Sequence, residues 1–149
     1  MEQIFKIVVP LPKYKHVEKA TKDRTTKSGT FKPATQRKEF IRLALTNNIQ
    51  YWYRFQKTKV KNNYKTMLKE FFLPEPTELY KSLTVEYRIL RHNKRKIDSD
   101  AIAFGVKWIT DSLCEIGYVK DDDTVTHVLI PAEYREGLVE TQLELTVLA

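Results

Sequence analysis

The 149-residue sequence contains one cysteine and no long run of apolar residues. The lone thiol, Cys114, excludes an internal disulfide and a paired-cysteine metal site, and so little cysteine fits a reducing compartment. The longest apolar runs, such as residues 7–9 and 71–73, are far below the roughly 18–20 residues that span a bilayer, and the first ten residues lack the apolar block of a signal peptide. We therefore expect a cytoplasmic protein with no membrane partner.

The sequence is equally short of the features of a disordered chain. It has no internal repeat and no linker rich in Gly or Ser, and 42% of its residues are apolar and 11% aromatic. This is enough apolar surface to build a core, which excludes a disordered tail or a low-complexity segment. A chain of this length typically forms one domain. We therefore predict a single domain over residues 1–149.

Acidic residues are scarce in the first two thirds of the chain, and basic residues are scarce in the last third. Residues 1–97 carry 23 Lys and Arg against 8 Asp and Glu, whereas residues 98–149 carry 3 against 11, which gives the net charge of +7. The basic part is typical of nucleic-acid binding, because neutralised phosphates release counterions. The acidic part would repel phosphate unless a divalent cation lies between them. The alternative is that both sets of charges simply face solvent.

Hydrophobic periodicity and the positions of proline and glycine predict an α+β fold. Strands are indicated by alternation, helices by apolar residues three or four positions apart, and Gly117 is suited to the end of a helix. We expect a small mixed or antiparallel sheet with helices packed on it. The pattern predicts strands at 4–9, 83–90, 125–130 and 138–148, helices at 34–47, 62–72 and 99–116, a continuation of the first helix or a second one after residue 48, and a long mobile basic loop over 13–32.

The last third of the chain holds the only constellation with chemical content. Asp98 and Asp100 are two residues apart at the start of the predicted helix 99–116, and three aspartates at 121–123 follow it. Within that helix Lys107 and Asp111 lie opposite an apolar stripe, at a spacing that also allows a simple ion pair between them. Carboxylates held close together need either solvent or a metal between them, and oxygen ligands favour Mg²⁺ or Mn²⁺ over zinc.

The spacing of these residues resembles that of the RusA family of Holliday junction resolvases. About 28 residues match closely, and a first strand ending in Pro-x-Pro before a basic segment agrees as well. Two positions depart from the family pattern: Ala101 stands where the family has Asn, and the distance from Asp100 to Lys107 is three residues longer, as in phage-borne members. The pattern Asp98-x-Asp100, Lys107-x-x-x-Asp111-x-Leu113, Gly117, Asp121-Asp122-x-x-Val125 is similar to the family's D-x-D-N, K-x-x-x-D-x-L, G, D-D-x-x-V.

The resemblance implies a small homodimeric endonuclease, in a bacterial or phage-infected cell, that binds four-way DNA junctions and cuts symmetric strands by Mg²⁺-dependent hydrolysis. It implies that Asp98, Asp100 and Asp122 bind the metal, with Asp121 beside them, and that Lys107 is the catalytic lysine. Mn²⁺ is the expected substitute for Mg²⁺. These roles agree with general chemistry, because a metal lowers the pKa of an attacking water and an ammonium stabilises a leaving oxygen.

Two basic segments are candidates for contact with DNA phosphates. Lys94, Arg95 and Lys96 directly precede the first aspartate pair, and Lys13 and Lys15 begin the predicted basic loop. Two other functions remain open from the sequence. One is a protein that binds DNA junctions without cutting them, and the other is a different small metal-dependent phosphoesterase that acts on nucleic acid.

Overall fold

The computed structural model describes residues 1–44 and 54–149, except for the side chains of residues 54–56, 99, 100 and 104. The described chain divides into two compact units, one formed by residues 1–12 and 44–149 and the other by residues 13–43. The strands are β1 (Gln3–Pro10), β2 (Lys13–Glu18), β3 (Arg24–Thr25), β4 (Phe31–Lys32), β5 (Lys38–Leu43), β6 (Leu83–Arg91), β7 (Val125–Tyr134) and β8 (Gln142–Leu148), and the helices are α1 (Arg54–Met67) and α2 (Ala103–Ile116).

The larger unit contains a four-stranded mixed sheet in the order β1-β8-β6-β7. Strand β8 is antiparallel to both β1 and β6, whereas β6 and β7 are parallel, with Leu83 opposite Val125. Parallel neighbours require a crossover connection, and α2 supplies it. The predicted α+β fold with a small mixed sheet is confirmed. No helix in the described ranges is long and apolar enough to cross a membrane.

The core of the larger unit lies between the sheet and the helices. Alternate residues of β6 are buried, as the sequence pattern predicts, and each such aliphatic side chain contributes roughly 2 kcal/mol by leaving water. Helix α2 presents a matching apolar stripe, and α1 with the turn that follows it adds Val60, Tyr64 and Leu68 at a spacing of four residues. The buried residues of β6 are Leu83, Val85, Tyr87, Ile89 and Leu90, and those of the α2 stripe with the turn before it are Ile102, Val106, Ile109 and Leu113.

Gly117 ends helix α2, as the sequence predicts. Its φ of 100° is left-handed, its amide donates to the carbonyl of Cys114, and the amide of Tyr118 donates to that of Leu113. These two bonds satisfy carbonyls that the helix leaves without partners. The Tyr118 hydroxyl then donates to the carbonyl oxygen of Pro74 at 2.7 Å, which ties the end of α2 to the segment that follows α1.

Helix α1 begins earlier than predicted, at Arg54, and ends in a π-helical turn from Leu68 to Phe72 before Pro74. The Tyr64 hydroxyl donates to the carbonyl oxygen of Pro10 at 2.8 Å, and the Tyr64 ring lies 6.2 Å from that of Trp108. The predicted helix or continuation after residue 48 falls largely on residues 45–53, outside the described residues.

Strands β7 and β8 also differ from their predicted bounds. Strand β7 continues through Pro131 to Tyr134, because it is the edge strand of the sheet and a proline without an N–H group is tolerated there. Strand β8 begins at Gln142 instead of residue 138, since Gly137, with φ of 88°, belongs to the turn between the two strands.

The smaller unit contradicts two predictions. Residues 13–32 are not a loop and residues 38–43 are not helical; instead β2 pairs with β5 and β3 with β4, all antiparallel. The apolar residues Phe40, Ile41 and Leu43 fit a helical spacing, but a partner strand some 25 residues earlier in the chain supplies backbone hydrogen bonds that the helix would otherwise provide. Residues 45–47 of that predicted helix lie outside the described residues.

Candidate functional site

The predicted metal-binding carboxylates lie on either side of helix α2. Asp98 is exposed, and its backbone carbonyl accepts a hydrogen bond from the amide of Ala101 at 3.1 Å, which opens the 3₁₀ turn Ser99–Ile102 before the helix. Asp100 lies within this turn, and its side chain is outside the described part of the structure. Asp122 lies beyond the other end, so a helix of 14 residues, about 20 Å long, separates the two groups.

Two anchors hold the Asp121–Asp123 segment at the end of α2. The amide of Tyr80 donates to the carbonyl oxygen of Tyr118 at 2.8 Å, and Val125 pairs with the first residue of β6. Between these anchors a 3₁₀ turn places three exposed aspartates, and the Thr124 hydroxyl closes it by donating to the carbonyl oxygen of Asp121 at 2.7 Å. Thr124 is a positioning residue that the sequence analysis missed.

The acidic residues of α2 itself are neutralised by lysines of α1. Lys61 Nζ lies 3.9 Å from Asp111 Oδ2, and both Lys65 and Lys69 donate to the Glu115 carboxylate. The hydrogen bond from Lys65, followed by that from Lys69, lowers the pKa of Glu115. Asp111 therefore pairs with Lys61 of α1. The pair with Lys107, which the helical spacing also allowed, is not the one observed. Lys107 is exposed one turn earlier on α2.

The acids that flank α2 have no such cation within the described residues. Among the residues that the structure describes, Asp98, Asp121 and Asp122 form no ion pair, in contrast to Asp111 and Glu115. Burial first, and then the nearby carboxylates of Asp122, Asp111 and Asp121, raise the pKa of the Cys114 thiol. This keeps the thiol protonated, which does not suit a nucleophile.

No group of three or more His, Cys, Asp or Glu side chains in the described residues is arranged to hold a metal ion. The Asp100 side chain is not among these described residues. Asp98 and Asp122 belong to different ends of the helix, so a single chain does not bring them together around one ion.

The predicted DNA-binding residues Lys94, Arg95 and Lys96 form an exposed loop after β6. Arg91 Nη1 donates to the carbonyl oxygen of Arg95 at 3.2 Å, and the amide of Arg95 donates to Asn93 Oδ1 at 3.0 Å. These bonds use backbone groups and one asparagine, so the cationic heads of the loop stay available to a ligand. The loop leads directly to Asp98.

Residues near the ends of β6 and β7 enlarge this basic surface, and the sequence analysis missed them. Lys94 Nζ lies 5.9 Å from the centre of the Tyr134 ring, and the amide of Arg135 donates to the carbonyl oxygen of Arg91 at 3.0 Å. Tyr134 and Arg135 join this surface only because β6 pairs with β7, some forty residues later in the sequence. No local signal in the sequence could therefore have identified these two residues.

The nearly buried carboxylate of Glu144 orders part of this surface. Arg88 Nη1 and Arg135 Nη1 each lie 3.5 Å from its oxygens, and Lys6 Nζ lies 3.7 Å away. Arg135 also contacts Glu133 at 3.0 Å. Three cations thus share two carboxylates, which leaves this part of the sheet with an excess of positive charge.

The other predicted DNA-binding residues, Lys13 and Lys15, lie in β2 of the smaller unit. Lys15 Nζ forms an ion pair with Glu39 at 2.8 Å, and the same carboxylate also contacts Arg37 at 2.7 Å, so one acid is shared by two cations.

Comparison of the chain with models of protein families and with curated protein sequences gives no match.

Proposed function

We propose that this protein is a metal-dependent endonuclease that acts on branched DNA, with four-way junctions as the substrate. The observation that carries the proposal is the continuity of the exposed loop Lys94–Lys96 with the exposed carboxylate of Asp98. Cations that bind phosphate and a carboxylate that binds a divalent ion then meet the same backbone segment of a substrate.

The donor set suits Mg²⁺. Asp98, Asp121 and Asp122 offer hard oxygen ligands on exposed turns, and within the described ranges they carry no counter-charge, unlike Asp111 and Glu115. A bound Mg²⁺ would offset phosphate charge and lower the pKa of the attacking water. Asp98, Asp100 and Asp122 would hold the ion, with Asp121 adjoining them.

The chain's own cations carry out the other tasks of the reaction. The loop Lys94–Lys96 binds the phosphates beside the scissile bond and fixes the register of the strand. Lys107 is exposed on α2, where its ammonium stabilises the charge that develops on the leaving oxygen. Ala101 contributes no polar side chain to this surface, so orientation of the substrate depends on the basic residues.

The separation of Asp98 from Asp122 supports a dimeric enzyme. Metal ligands lie within about 2.1 Å of Mg²⁺, whereas α2 alone is about 20 Å long. An ion bound by both carboxylates therefore takes them from two protomers. A twofold dimer then contains two such sites, which matches the two symmetric strands of a four-way junction.

The test compares Asp122→Asn with Asp123→Asn, two adjacent exposed carboxylates of the same turn. A labelled synthetic four-way junction and a linear duplex of the same sequence are incubated with each protein in Mg²⁺ or in EDTA. We expect wild type and D123N to cut the junction in Mg²⁺ alone, and D122N to lose at least about a hundredfold in rate. A wild-type protein that binds the junction and never cuts it would be a junction-binding protein, and equal cutting of linear duplex would overturn the junction selectivity.

A further inference from the structure

The smaller unit is a two-stranded antiparallel ribbon made of the β2–β5 pair, the β3–β4 pair and a single bridge between them. Lys13 faces Leu43 at its base, Thr21 faces Thr35 in its middle, and Thr25 faces Phe31 near its tip, all in a single unbroken register. The turn 26–30 closes it with a hydrogen bond from the amide of Thr26 to the carbonyl of Thr30 at 2.8 Å, and with Gly29 in the left-handed region. Thirteen residues per strand make the ribbon about 40 Å long.

The ribbon contains the entire excess positive charge of the protein. Residues 13–43 carry ten Lys and Arg against three Asp and Glu, a net charge of +7, and the rest of the chain carries sixteen of each sign. All 31 residues of the ribbon are described and none of them is buried. A ribbon with this composition has no core of its own, so its sequence is not explained by packing.

The two faces of the ribbon differ in how their cations are balanced. In an antiparallel pair, facing residues point to the same side, and this side alternates along the strand. One face contains Lys13, Lys15, Lys19 and Arg37 with two acids, Asp23 and Glu39, and there Glu39 pairs with both Lys15 and Arg37, at 2.8 and 2.7 Å. The other, which we call the cationic face, contains Lys22, Arg24, Lys32, Lys38 and Arg42 and one acid, Glu18.

The cationic face includes a like-charged cross-strand pair. Arg24 lies directly opposite Lys32, and Lys22 is the next residue on the same face. Cations that face each other across a ribbon repel and destabilise the pairing. In the described residues neither Arg24 nor Lys32 has an acidic partner, although the chain provides one for Lys15 and Arg37. An external anion between the two side chains would remove this repulsion.

We propose that this ribbon is an arm that lies along a groove of duplex DNA, with the cationic face toward the backbone phosphates. A two-stranded ribbon fits the major groove, which is about 12 Å wide, and a length of about 40 Å corresponds to roughly one turn of the duplex. A second copy of the ribbon is the other conceivable occupant of the face, but two ribbons of charge +7 repel each other. The inference rests on the proposed function for the identity of its ligand and is independent of cleavage.

The test uses the full chain with Arg24→Gln and Lys32→Gln combined. Its matched control combines Lys19→Gln with Arg37→Gln, which removes the same charge from the other face of the same ribbon. Binding to a labelled 30-base-pair duplex is measured in EDTA from 50 to 200 mM KCl, so that cleavage plays no part. Each lost phosphate contact lowers the slope of log affinity against log salt by about 0.9.

We expect R24Q/K32Q to lower that slope by about 2 and to weaken binding at least about tenfold at 100 mM KCl, with little change in the control. Thermal unfolding should show no loss of stability for R24Q/K32Q, because a repulsion has been removed.

Equal salt slopes for all three proteins, or an equal loss of affinity in the control, would contradict the proposal that the ribbon binds DNA. If wild type binds duplex with the expected slope but cuts no junction, the proposal that the ribbon binds DNA stands and the nuclease proposal is wrong. If wild type cuts junctions and R24Q/K32Q binds duplex as tightly as wild type does, the nuclease proposal stands and the proposal that the ribbon binds DNA is wrong.

Discussion

Asp98 and Asp122 lie beyond opposite ends of helix α2, with 14 helical residues between them. Both are exposed and neither forms an ion pair within the described part of the chain, so each is free to meet a ligand from outside its own protomer. In a twofold dimer with antiparallel α2 helices, Asp98 of one copy comes to the same end as Asp122 of the other.

Co-expression of the D98N and D122N variants tests this arrangement. Each variant alone is expected to be inactive, because every site lacks one ligand. In a mixed dimer one site has lost both ligands and the other is intact, so about half of the dimers in an equal mixture regain one site. The expected product is a junction nicked in one strand, detected on denaturing gels. A mixture as inactive as its parents would place both carboxylates in the same protomer.

Arg95 should contribute to DNA affinity through its charge. Its backbone amide is bonded to Asn93 and its carbonyl to Arg91, so Arg95→Gln leaves the shape of the loop intact. We expect R95Q to lower the salt slope of duplex binding by about 1. Lys59→Gln, an equal loss of charge on the exposed side of α1, serves as the control and should leave the slope unchanged. Fluorescence anisotropy titrations at several salt concentrations measure both; identical slopes for the two variants would show that the loop does not bind phosphate.

The ion pairs of Glu115 with Lys65 and Lys69 predict a pH dependence of stability. Because the pKa of Glu115 is lowered in the folded protein, its contribution is complete above the ordinary value of 4.5 and is lost as the pH falls through the lower folded value. Glu115→Gln should therefore be less stable than wild type at pH 7, by under about 1 kcal/mol for so exposed a pair. The difference should vanish well below pH 4.5 in urea titrations. Glu70→Gln, at an exposed glutamate on the turn after α1, serves as the control for loss of a surface carboxylate, and a difference for E115Q that persists at low pH would contradict the assignment.

Two glycines of the same helix should respond to alanine with opposite signs. Gly117 has a φ of 100°, so Gly117→Ala forces a side chain into the left-handed region and should cost about 1 kcal/mol or more. Gly105 has helical geometry, and a Cβ there would lie 3.9 Å from Pro12 Cγ, an ordinary contact. Gly105→Ala should therefore stabilise the protein by up to about 1 kcal/mol through helix propensity. Chemical denaturation measures both, and a loss for G105A equal to that of G117A would contradict the account.

The sequence alone was sufficient for elements whose signals are local. The apolar stripe of α2, its end at Gly117 and the alternation of β6 all predicted what the structure contains, because each depends on residues only a few positions apart. The same holds for the placement of Asp98 and Asp122 on either side of α2, because the predicted helix 99–116 already separates them. These local patterns also carried the resemblance that led to the metal and DNA hypotheses.

Only the tertiary structure decided the features that depend on distant partners. The spacing of Phe40, Ile41 and Leu43 fits a helix as well as a strand, and pairing with β2 selects the strand, since a ribbon's hydrogen bonds join residues far apart in sequence. The lysines of α1 neutralise Asp111 and Glu115 through a helix contact that no local pattern encodes. Arg135 likewise meets Arg91 only through the pairing of β6 with β7, because strands that are neighbours in a sheet can be far apart in sequence.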